Sequence, residues 1–346
     1  MGRSHSQALG SLRMKLDRRE LLQRLLAVSP GIVKSGTTQS DCIVLRKGRF
    51  YTLSKEIACS LVSGLEPDVE GAVQADRLIE LLKQMPDQDV DINIEKGILH
   101  LSGLGKARRA KIPMESEILL PVGSVELPKA YTRLSEGFAE AVDLVISCTK
   151  KRGEFLHECL HIHPKYIEAS DNIQMARWDI ETFVPKSVLV RGQSLKAITQ
   201  LGMTKGAMTE SWLHFVNPMG LRVSVCQWAM EKYPKLDDFL NLRGEKVVLP
   251  KLLAGAAMRA GIFAEEDSIG VKLNGDGRVL LESKCGAGEY QEEKVLKYDG
   301  PELRFSVPYK LIAKLVEKHN GIEVTECSLR VNGGKYIYAT SLEMNT

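Results

Sequence analysis

One short run of residues has the types and spacing of a metal-dependent catalyst. His157, Glu158 and His161 spell the pattern H-E-x-x-H, and His163 follows two residues later. In a zinc peptidase this pattern lies on a helix, where the two histidines are one turn apart and bind one Zn²⁺, while the glutamate acts as a general base. The run therefore makes a zinc-dependent hydrolase one hypothesis for this chain.

The alternation around this run favours a strand. From 156 to 163, apolar or acidic residues at even positions alternate with histidine or cysteine at odd positions, which is a period of two. On a strand, His157 and His161 would be roughly 13 Å apart, at about 3.3 Å per residue, and zinc–ligand bonds of about 2 Å cannot span that distance. Pro164 also leaves little room for a longer helix. We therefore expect a strand over 154–163 and no metal site.

Other catalytic signatures are missing from the sequence. It contains no G-x-x-x-x-G-K-[ST] loop for nucleotide phosphates, no G-x-S-x-G nucleophile turn and no G-x-G-x-x-G that opens a helix. The chain is therefore not expected to hydrolyse ATP, to need a cofactor or to be an enzyme.

The composition is that of a folded protein with several domains. The 346 residues are 44% hydrophobic and 26% charged, and the net charge of +3 does not by itself indicate a nucleic-acid partner. The seven cysteines are scattered without a C-x-x-C pair. This argues against a disulfide framework or a thiolate zinc site and predicts a reducing compartment, the cytoplasm. The sequence contains no run of about 18 apolar residues, so no membrane span is predicted.

Three stretches of about 110 residues each repeat one layout. Each opens with an amphipathic helix, continues with short alternating strands, and ends with a second helix and further strands. We expect a disordered tail over 1–13 and three domains over 14–122, 123–236 and 237–346. The predicted helices span 17–28, 73–85, 129–147, 192–201, 249–263 and 309–318, and Asp17 is the expected N-cap of the first.

From Met14 onward, these segments resemble the bacterial sliding clamp, the beta subunit of DNA polymerase III. The family's first helix and the loop after it look like MKLDRRELLQRLLAVSPGIV. Its closing segment is similar in helix, strand order and position to GPELRFSVPYKLIAKLVEKHNGIEVTECSLRVNGGKYIYATSLEM. A strand, a turn and another strand of the family fall on KYIEASDNIQMARWDI.

The resemblance implies an α+β fold of three repeated sliding-clamp domains, each with two helices on the inside and antiparallel sheets on the outside. One chain would then form half of a ring, and a ring of six domains needs a homodimer. The resemblance further implies that the ring encircles double-stranded DNA of any sequence and tethers a DNA polymerase and a clamp loader through short linear peptides. A clamp-fold scaffold without a polymerase role remains a second hypothesis, beside the zinc-dependent hydrolase.

Lysines and arginines on the polar faces of the predicted helices are the candidate DNA-binding residues. Diffuse positive charge attracts phosphates without the base contacts that would pin a sliding protein. A solvated helix face is the alternative for each residue alone, so the prediction rests on the set. The expected DNA-binding residues are Lys34, in the loop where the family presents a basic residue, together with Arg18, Arg24, Arg77, Lys83, Lys129, Arg133, Lys196, Lys251, Arg259, Lys310 and Lys314.

The resemblance also implies a peptide-binding pocket between the second and third domains. Such a pocket is an apolar groove that accepts the anchoring side chains of a short linear motif. The stretch 170–175 departs from the family's usual turn residues, so a simple strand turn is the alternative. Carried over by position, the pocket residues are Leu156, Ser170, Asn172, Met175, Leu242, Ala339 and Ser341.

A ring-closing interface is the third implied surface. Ile262 and Phe263 end the predicted first helix of the third domain, where the family places apolar residues against the partner's first domain. Burial of these two side chains in the core of their own domain is the alternative.

Overall fold

The computed structural model describes residues 12–34, 36–103, 108–229, 233–241, 243–296, 302–318, 321–325 and 327–343. The expected tail over 1–13 lies outside these ranges except for its last two residues, which belong to a strand. Leu242, an expected pocket residue, also lies outside them. No helix in the described ranges is both long enough and apolar enough to cross a lipid bilayer.

The first repeat, residues 12–115, begins with a strand and a helix joined at Asp17. As predicted, Asp17 caps this helix, because its Oδ1 accepts a hydrogen bond from the backbone N–H of Glu20 at 2.8 Å. The elements are β1 (Leu12–Asp17), α1 (Arg18–Val28), β2 (Cys42–Arg46), β3 (Arg49–Leu53), β4 (Ile57–Val62), β5 (Gly71–Gln74), α2 (Ala75–Gln84), β6 (Asp89–Glu95), β7 (Ile98–Ser102) and β8 (Arg109–Glu115).

The second repeat, residues 132–229, corrects one predicted helix. The helix expected over 129–147 begins only at Phe138, because Gly137 adopts a left-handed φ of 84° and the preceding residues Thr132 and Arg133 pair with a later strand instead. The elements are β9 (Thr132–Arg133), α3 (Phe138–Ile146), α4 (Phe155–Glu158), β10 (Cys159–His163), β11 (Tyr166–Ser170), β12 (Gln174–Asp179), β13 (Val188–Arg191), α5 (Gly192–Thr199), β14 (Lys205–Met208), β15 (Trp212–Val216), β16 (Arg222–Cys226) and β17 (Trp228–Ala229).

The third repeat, residues 237–343, also has a shorter helix than predicted. The helix expected over 249–263 spans only Leu253–Ala260, and a 3-10 turn follows it. At this turn Gly261 packs against the Tyr309 ring so closely that a Cβ would lie 2.3 Å from Tyr309 Cδ2. The elements are α6 (Asp237–Leu240), β18 (Glu245–Val248), α7 (Leu253–Ala260), β19 (Ser268–Asn274), β20 (Arg278–Cys285), β21 (Gly288–Val295), β22 (Leu303–Pro308), α8 (Tyr309–Lys318), β23 (Gly321–Val324), β24 (Ser328–Asn332) and β25 (Tyr336–Glu343).

Each repeat packs two helices against each other and against its own strands. The pairs are α1 with α2, α3 with α5, and α7 with α8. The apolar stripe of each helix is buried, as with Leu21 and Leu25 on α1 and Leu78 and Leu82 on α2, whereas the opposite polar face stays in solvent. The α+β fold that the resemblance implies is therefore confirmed.

The chain packs into two compact units. The first contains the residues up to Arg133 and the stretch Gln200–Gln227, and the second contains Leu134–Thr199 and the chain from Trp228 onward. In the described ranges, the first unit has a 12-stranded sheet in the order β1-β6-β7-β8-β5-β2-β3-β4-β16-β15-β14-β9, and the second has a 13-stranded sheet. The boundary between the units therefore falls inside the second repeat.

One pairing rule joins successive repeats inside each unit. In the first unit β4 pairs antiparallel with β16, with Ser60 opposite Arg222. In the second unit β12 pairs antiparallel with β25, with Met175 opposite Ala339. In each repeat three consecutive strands follow the first helix, and the third of them is β4 in the first repeat and β12 in the second. This third strand pairs with the closing strand of the next repeat, the last strand of the group after the second helix, which is β16 or β25. We call the β4–β16 contact the first junction and the β12–β25 contact the second junction.

By the same rule, β21 and β8 are the two strands without a counterpart. β21 corresponds to β4 and β12, and within the described ranges it pairs only with β20. β8 corresponds to β16 and β25. Its residues 109–113 pair with β7 along one edge, and its end pairs with β5. In the described part of the chain the other edge of 109–113 forms no strand pair.

The first linker, residues 116–127, crosses the sheet of the first unit and is held there by Gln39. The Gln39 side chain is buried, and its Oε1 accepts hydrogen bonds from the backbone N–H groups of Leu119 and Leu120 at 2.8 and 3.1 Å. Its Nε2 donates to Glu115 Oε2 at 2.5 Å and to the carbonyl of Glu117 at 2.8 Å. The Gln39 amide therefore satisfies three backbone groups of the linker and the Glu115 carboxylate at the end of β8.

The second linker, residues 233–241, is held by charge instead. Asp237 on α6 accepts from Arg177 Nη1 at 2.6 Å, and Arg177 also contacts the buried Glu168 carboxylate at 2.6 Å. Leu236 and Leu240 are buried beside these groups. The hydrogen bond from Arg177 and its positive charge lower the pKa of Asp237 below its ordinary value.

Replacing Gln39 should destabilise the first unit. We expect Gln39→Ala to lower the free energy of unfolding by about 1–3 kcal/mol, because two backbone N–H groups lose their acceptor in a buried place. Urea denaturation measures the change. Gln84→Ala is the matched control, since the exposed Gln84 amide donates only to Glu80, and it should stay within about 0.5 kcal/mol. Equal losses in both variants would contradict this role of Gln39.

The attachment of the second linker should depend on pH. Because the pKa of Asp237 is lowered in the folded protein, its contribution is present above the unfolded pKa of about 4 and is lost as the pH falls below that value. We expect Asp237→Asn to raise amide hydrogen exchange in α6 several-fold at pH 7, measured by mass spectrometry. Wild type should approach the variant's relative exchange below about pH 4. Asp238→Asn, on the same helix, serves as the control and should behave like wild type at every pH.

Candidate nucleic-acid and partner-binding surfaces

The H-E-x-x-H run is divided between two elements. His157 and Glu158 lie on the single helical turn α4, and His161 lies on β10. The strand expected over 154–163 is therefore wrong for its first half: the turn closes with a hydrogen bond from His157 N–H to the Glu154 carbonyl at 3.0 Å. It places Phe155 edge-on against Trp228, with ring centroids 5.2 Å apart.

Glu158 and His161 Nδ1 contact protein groups, whereas His161 Nε2 is buried without a hydrogen-bond partner among the described residues. The Glu158 carboxylate pairs with Arg191 and accepts from the backbone N–H of Gly153 at 2.9 Å. His161 Nδ1 lies 2.6 Å from Glu168 Oε1, inside the cluster that includes Arg177. Within the described ranges, no group of three or more His, Cys, Asp or Glu side chains has the arrangement of a metal site. The histidines therefore do not form the helical pair that a zinc peptidase requires.

The expected DNA-binding residues on the first helices of the first and third repeats, α1 and α7, are engaged in the fold. Arg18 donates to the carbonyls of Leu82 and Asp87, both at 2.7 Å, and thus caps the C-terminal end of α2. Arg24 donates to the carbonyl of Val62 and to Glu20. Arg259 on α7 makes a two-pronged contact with Glu292 at 2.7 and 2.9 Å. In each case a local acceptor competes with any phosphate.

Five expected residues lie on the second helices of the repeats, and all are exposed except Lys314, whose side chain is 34% exposed. They are Arg77 and Lys83 on α2, Lys196 on α5, and Lys310 and Lys314 on α8. Lys83 lies 3.6 Å from Glu80, and Lys314 lies 3.0 Å from Asp143. Solvent-exposed ion pairs of this kind contribute about 0–1 kcal/mol, so a phosphate can replace the acidic partner at little cost.

The remaining expected cations lie off the helices. Lys34 is in the loop after α1 and lies 3.0 Å from Asp76 Oδ2, at the start of α2. Lys129 and Arg133 are exposed on the segment that precedes α3, not on a helix, and Lys251 is exposed just before α7. The helical placement predicted for these three residues is wrong, because the helices start later than the periodicity indicated.

At the second junction the structure brings together part of the expected pocket. Ser170 is opposite Met175, and Met175 is opposite Ala339, so the three side chains form one cross-strand row. Asn172 has a left-handed φ of 74° in the turn between β11 and β12. Ser341 donates its backbone N–H to the carbonyl of Ile173 at 2.7 Å. Leu156, by contrast, lies on α4, which contacts β10.

Ile173 at this junction is a residue that the sequence analysis missed. Its side chain is 52% exposed on the turn between β11 and β12. An isoleucine flanked by Asn172 and Gln174 in a tight turn is the signal that could have identified it, because turns usually carry small or polar residues.

The two residues expected at the ring-closing interface differ in exposure. Ile262 is 75% exposed in the turn after α7, and Met258, four residues earlier, is also exposed. Phe263 stacks against Tyr290 of β21, with ring centroids 6.4 Å apart. Ile262 is therefore an apolar side chain on the surface of the chain, whereas Phe263 packs within its own repeat.

The unpaired edges of β21 and β8 carry opposite charges. On β21 the exposed positions alternate along the strand and include Glu289 and Glu293. On β8 they include Arg109 and Lys111. Beside β8, a cavity of about 1040 Å³ in the first unit is lined by Leu81 of α2 and by Ile112 and other residues of that strand. The sequence analysis identified neither the cavity nor this sorting of charge.

Comparison with known proteins gives agreement in structure only. No protein-family description matches the sequence, and no curated protein matches it. Among solved structures, the DNA polymerase III subunit beta from Pseudomonas aeruginosa is similar over 96% of this chain and 100% of its own, with a TM-score of 0.69 and 15% identity.

Two further structures give the same result. A putative DNA polymerase III beta subunit from Eubacterium rectale is similar over 96% of this chain and 100% of its own, with a TM-score of 0.73 and 18% identity. The DNA polymerase III beta subunit from Thermotoga maritima has a TM-score of 0.70 and 17% identity over the same shares of the two chains. Three repeated helix pairs on antiparallel sheets, matched over nearly the whole chain, show that this protein has the fold of the bacterial DNA sliding clamps.

Proposed function

We propose that two copies of this chain close into a ring around double-stranded DNA and act there as a non-catalytic processivity clamp for a DNA polymerase. The observation that carries the proposal is the pairing rule between repeats. At both junctions within the chain, the third strand of one repeat pairs with the closing strand of the next. In the described ranges only the third strand β21 and the closing strand β8 lack such a counterpart. A second copy supplies both missing partners when β21 of each chain pairs with β8 of the other.

The chemistry of the two edges supports this pairing. Unpaired strand edges present N–H and carbonyl groups that readily accept another strand. Glu289 and Glu293 on β21 are complementary to Arg109 and Lys111 on β8, and complementary charge selects the right partner edge. Ile262 of one copy would enter the cavity of about 1040 Å³ beside β8 of the other, where Leu81 and Ile112 offer apolar contacts.

The DNA-facing surface would consist of the second helices of the repeats. Lys83, Lys196 and Lys314 stand on α2, α5 and α8, one on each repeat. Exposed lysines that are only weakly paired can exchange between an acidic neighbour and a passing phosphate, and this favours sliding over tight binding. Six further cations would extend this positively charged surface: Arg77, Lys310, Lys34, Lys129, Arg133 and Lys251. The contribution of Arg18, Arg24 and Arg259 would be smaller, because their side chains already donate to groups within the chain.

Partner proteins would bind at the second junction through short linear peptides. The floor of the proposed peptide site is the row of Ser170, Met175 and Ala339. The exposed Ile173 lies beside this row, and an apolar side chain of the peptide would pack there. Asn172 and Ser341 are the proposed rim, and Leu156 on α4 is proposed as a further contact. A polymerase and a clamp loader are the proposed partners, and the proposed site of action is the cytoplasm.

The alternative function is a clamp-fold scaffold that closes into a ring without serving a polymerase. The polar turn Asp171-Asn172 next to the proposed peptide site is the observation that favours it, because an apolar anchor finds little contact there. Retention on DNA separates the two functions. A clamp should stay on nicked circular DNA and be lost when the circle is cut, whereas a scaffold should give equal recovery from both.

Removing the exposed apolar residue at the proposed ring contact should separate the copies. We expect the wild-type protein to have twice the 38.4 kDa chain mass in sedimentation equilibrium, and Ile262→Asp to have the mass of one chain at the same concentration. A buried charge without a partner weakens an interface strongly, whereas Ile262 is too exposed within the chain to affect folding.

The matched control for this variant is Met219→Asp, which changes a 62% exposed apolar residue on a loop of the first unit. It should remain a dimer. Replacing Glu289 and Glu293 by lysine should also give single chains, and adding Arg109→Glu and Lys111→Glu should restore the dimer. A wild-type protein of single-chain mass at micromolar concentration would contradict the ring.

Charge reversal on the second helices should weaken DNA binding. We expect the triple variant Lys83→Glu, Lys196→Glu and Lys314→Glu to bind a 30-base-pair duplex more weakly. The slope of log affinity against log salt should fall by up to about 5, which is about 0.9 for each lysine lost from the two copies of the ring. Fluorescence anisotropy at several salt concentrations measures both.

The control for the DNA experiment reverses the same number of charges away from these helices, at the exposed residues Lys55, Lys186 and Lys335, one in each repeat. Its affinity should fall less, and its salt slope should stay near that of wild type. Identical slopes for the wild type and the helix variant would contradict the DNA-facing assignment.

A further inference from the structure

A small cavity lies at the first junction, on the face of the sheet that the first linker crosses. Its volume is about 220 Å³. Its floor is one cross-strand row of side chains, with Tyr51 opposite Ser60 and Ser60 opposite Arg222. Its wall comes from the first linker and includes Leu127. The cavity therefore lies where two repeats meet, and all the residues that line it belong to the first unit.

The wall of this cavity is apolar and open to solvent. Val122 and Val125 are partly buried against the sheet, and Leu127 is 56% exposed at the rim. Pockets that take whole small molecules have volumes of roughly 300–1,000 Å³. A cavity below that range, next to an exposed leucine, is suited to one or two side chains of a longer chain.

Arg222 brings positive charge to the floor of the cavity, and within the described ranges no carboxylate forms an ion pair with it. Arg222 Nε is buried and has no hydrogen-bond partner among the described residues. Arg49, nearby, donates from Nε and Nη2 to the neutral Ser60 Oγ at 3.1 and 2.9 Å. Burial, together with the charge of Arg222, lowers the pKa of Arg49. Arg222 lies opposite Ser60 in the sheet, and Arg49, which does not itself line the cavity, donates to the same serine. Two guanidinium-bearing side chains next to one serine are complementary to a carboxylate.

We propose that the cavity at the first junction binds an acidic short linear peptide of a partner protein. An apolar side chain of the peptide enters beside Leu127 and Val125, and an adjacent carboxylate, from Asp, Glu or the C-terminus, contacts Arg222 and Arg49. The same pairing rule builds both junctions, so each chain presents two partner sites of different charge. The inference extends the proposed partner-binding role, but it requires neither a closed ring nor a functional second junction.

The experiment is a selection of peptides from a phage-displayed library of random octapeptides on the immobilised full-length protein. Enriched peptides should place Asp or Glu next to Leu, Ile, Phe or Met. The best peptide is then labelled with fluorescein, and its affinity is measured by anisotropy beside a counterpart with Asn or Gln in place of the acids.

Two pairs of variants test the two halves of the cavity. Leu127→Asp should weaken binding of the acidic peptide at least tenfold, whereas Leu119→Asp should change it less than twofold, because Leu119 is 52% exposed on the same linker but does not line the cavity. Arg222→Gln should abolish the preference for the acidic over the amide peptide, and Arg222→Lys should retain part of it.

The outcomes separate this inference from the proposed function. Loss of binding in Met175→Asp with full binding in Leu127→Asp would assign the peptides to the second junction and overturn the inference, while leaving the proposed clamp intact. Enrichment of no peptide that depends on Leu127 would overturn it as well. Dependence on Leu127 and Arg222 in a protein that fails to form dimers would support the inference without the ring.

Discussion

The structure depends on how the edges of its strands are satisfied. A strand edge exposes backbone N–H and carbonyl groups that need partners, and a long exposed edge invites unwanted association. In this chain the third strand of one repeat pairs with the closing strand of the next, as at β4–β16 and β12–β25, and each strand satisfies the edge of the other. Both junction surfaces are built on these contacts.

Much of this organisation can be predicted from the sequence. Asp17 followed by an apolar stripe identifies α1, and α8 occupies the range 309–318 that the periodicity predicts. These elements are determined by local signals, because a cap and an amphipathic stripe act within one or two turns. The repeated order of helices and strands excludes an all-helical or doubly wound parallel fold, and the resemblance to the sliding clamps then implies the fold class. The expected surface residues, however, are placed less well than the elements that carry them.

The errors arise where distant contacts override local pattern. The segment before α3 reads as helix, yet Arg133 lies opposite Lys205, 72 positions further along the chain, and Gly137 adopts a conformation that a helix interior does not have. At α4, packing of Phe155 on Trp228 and pairing of Glu158 with Arg191 produce a helical turn inside an alternating pattern. Neither partner is visible from a short window of sequence. The small cavity at the first junction is hidden for the same reason, since Ser60 and Arg222 are neighbours only in the folded sheet.

A contact that joins one kind of edge to a different kind has a consequence for symmetry. Such a head-to-tail contact adds one repeat after another, and it closes when the accumulated rotation reaches a full turn. The geometry of a junction therefore fixes how many repeats a ring contains, but not how the chain is divided among them. On the proposed ring of six repeats, three repeats in one chain give a two-fold axis. A chain of two such repeats would instead close with three copies, and a chain of six would close on itself without any partner.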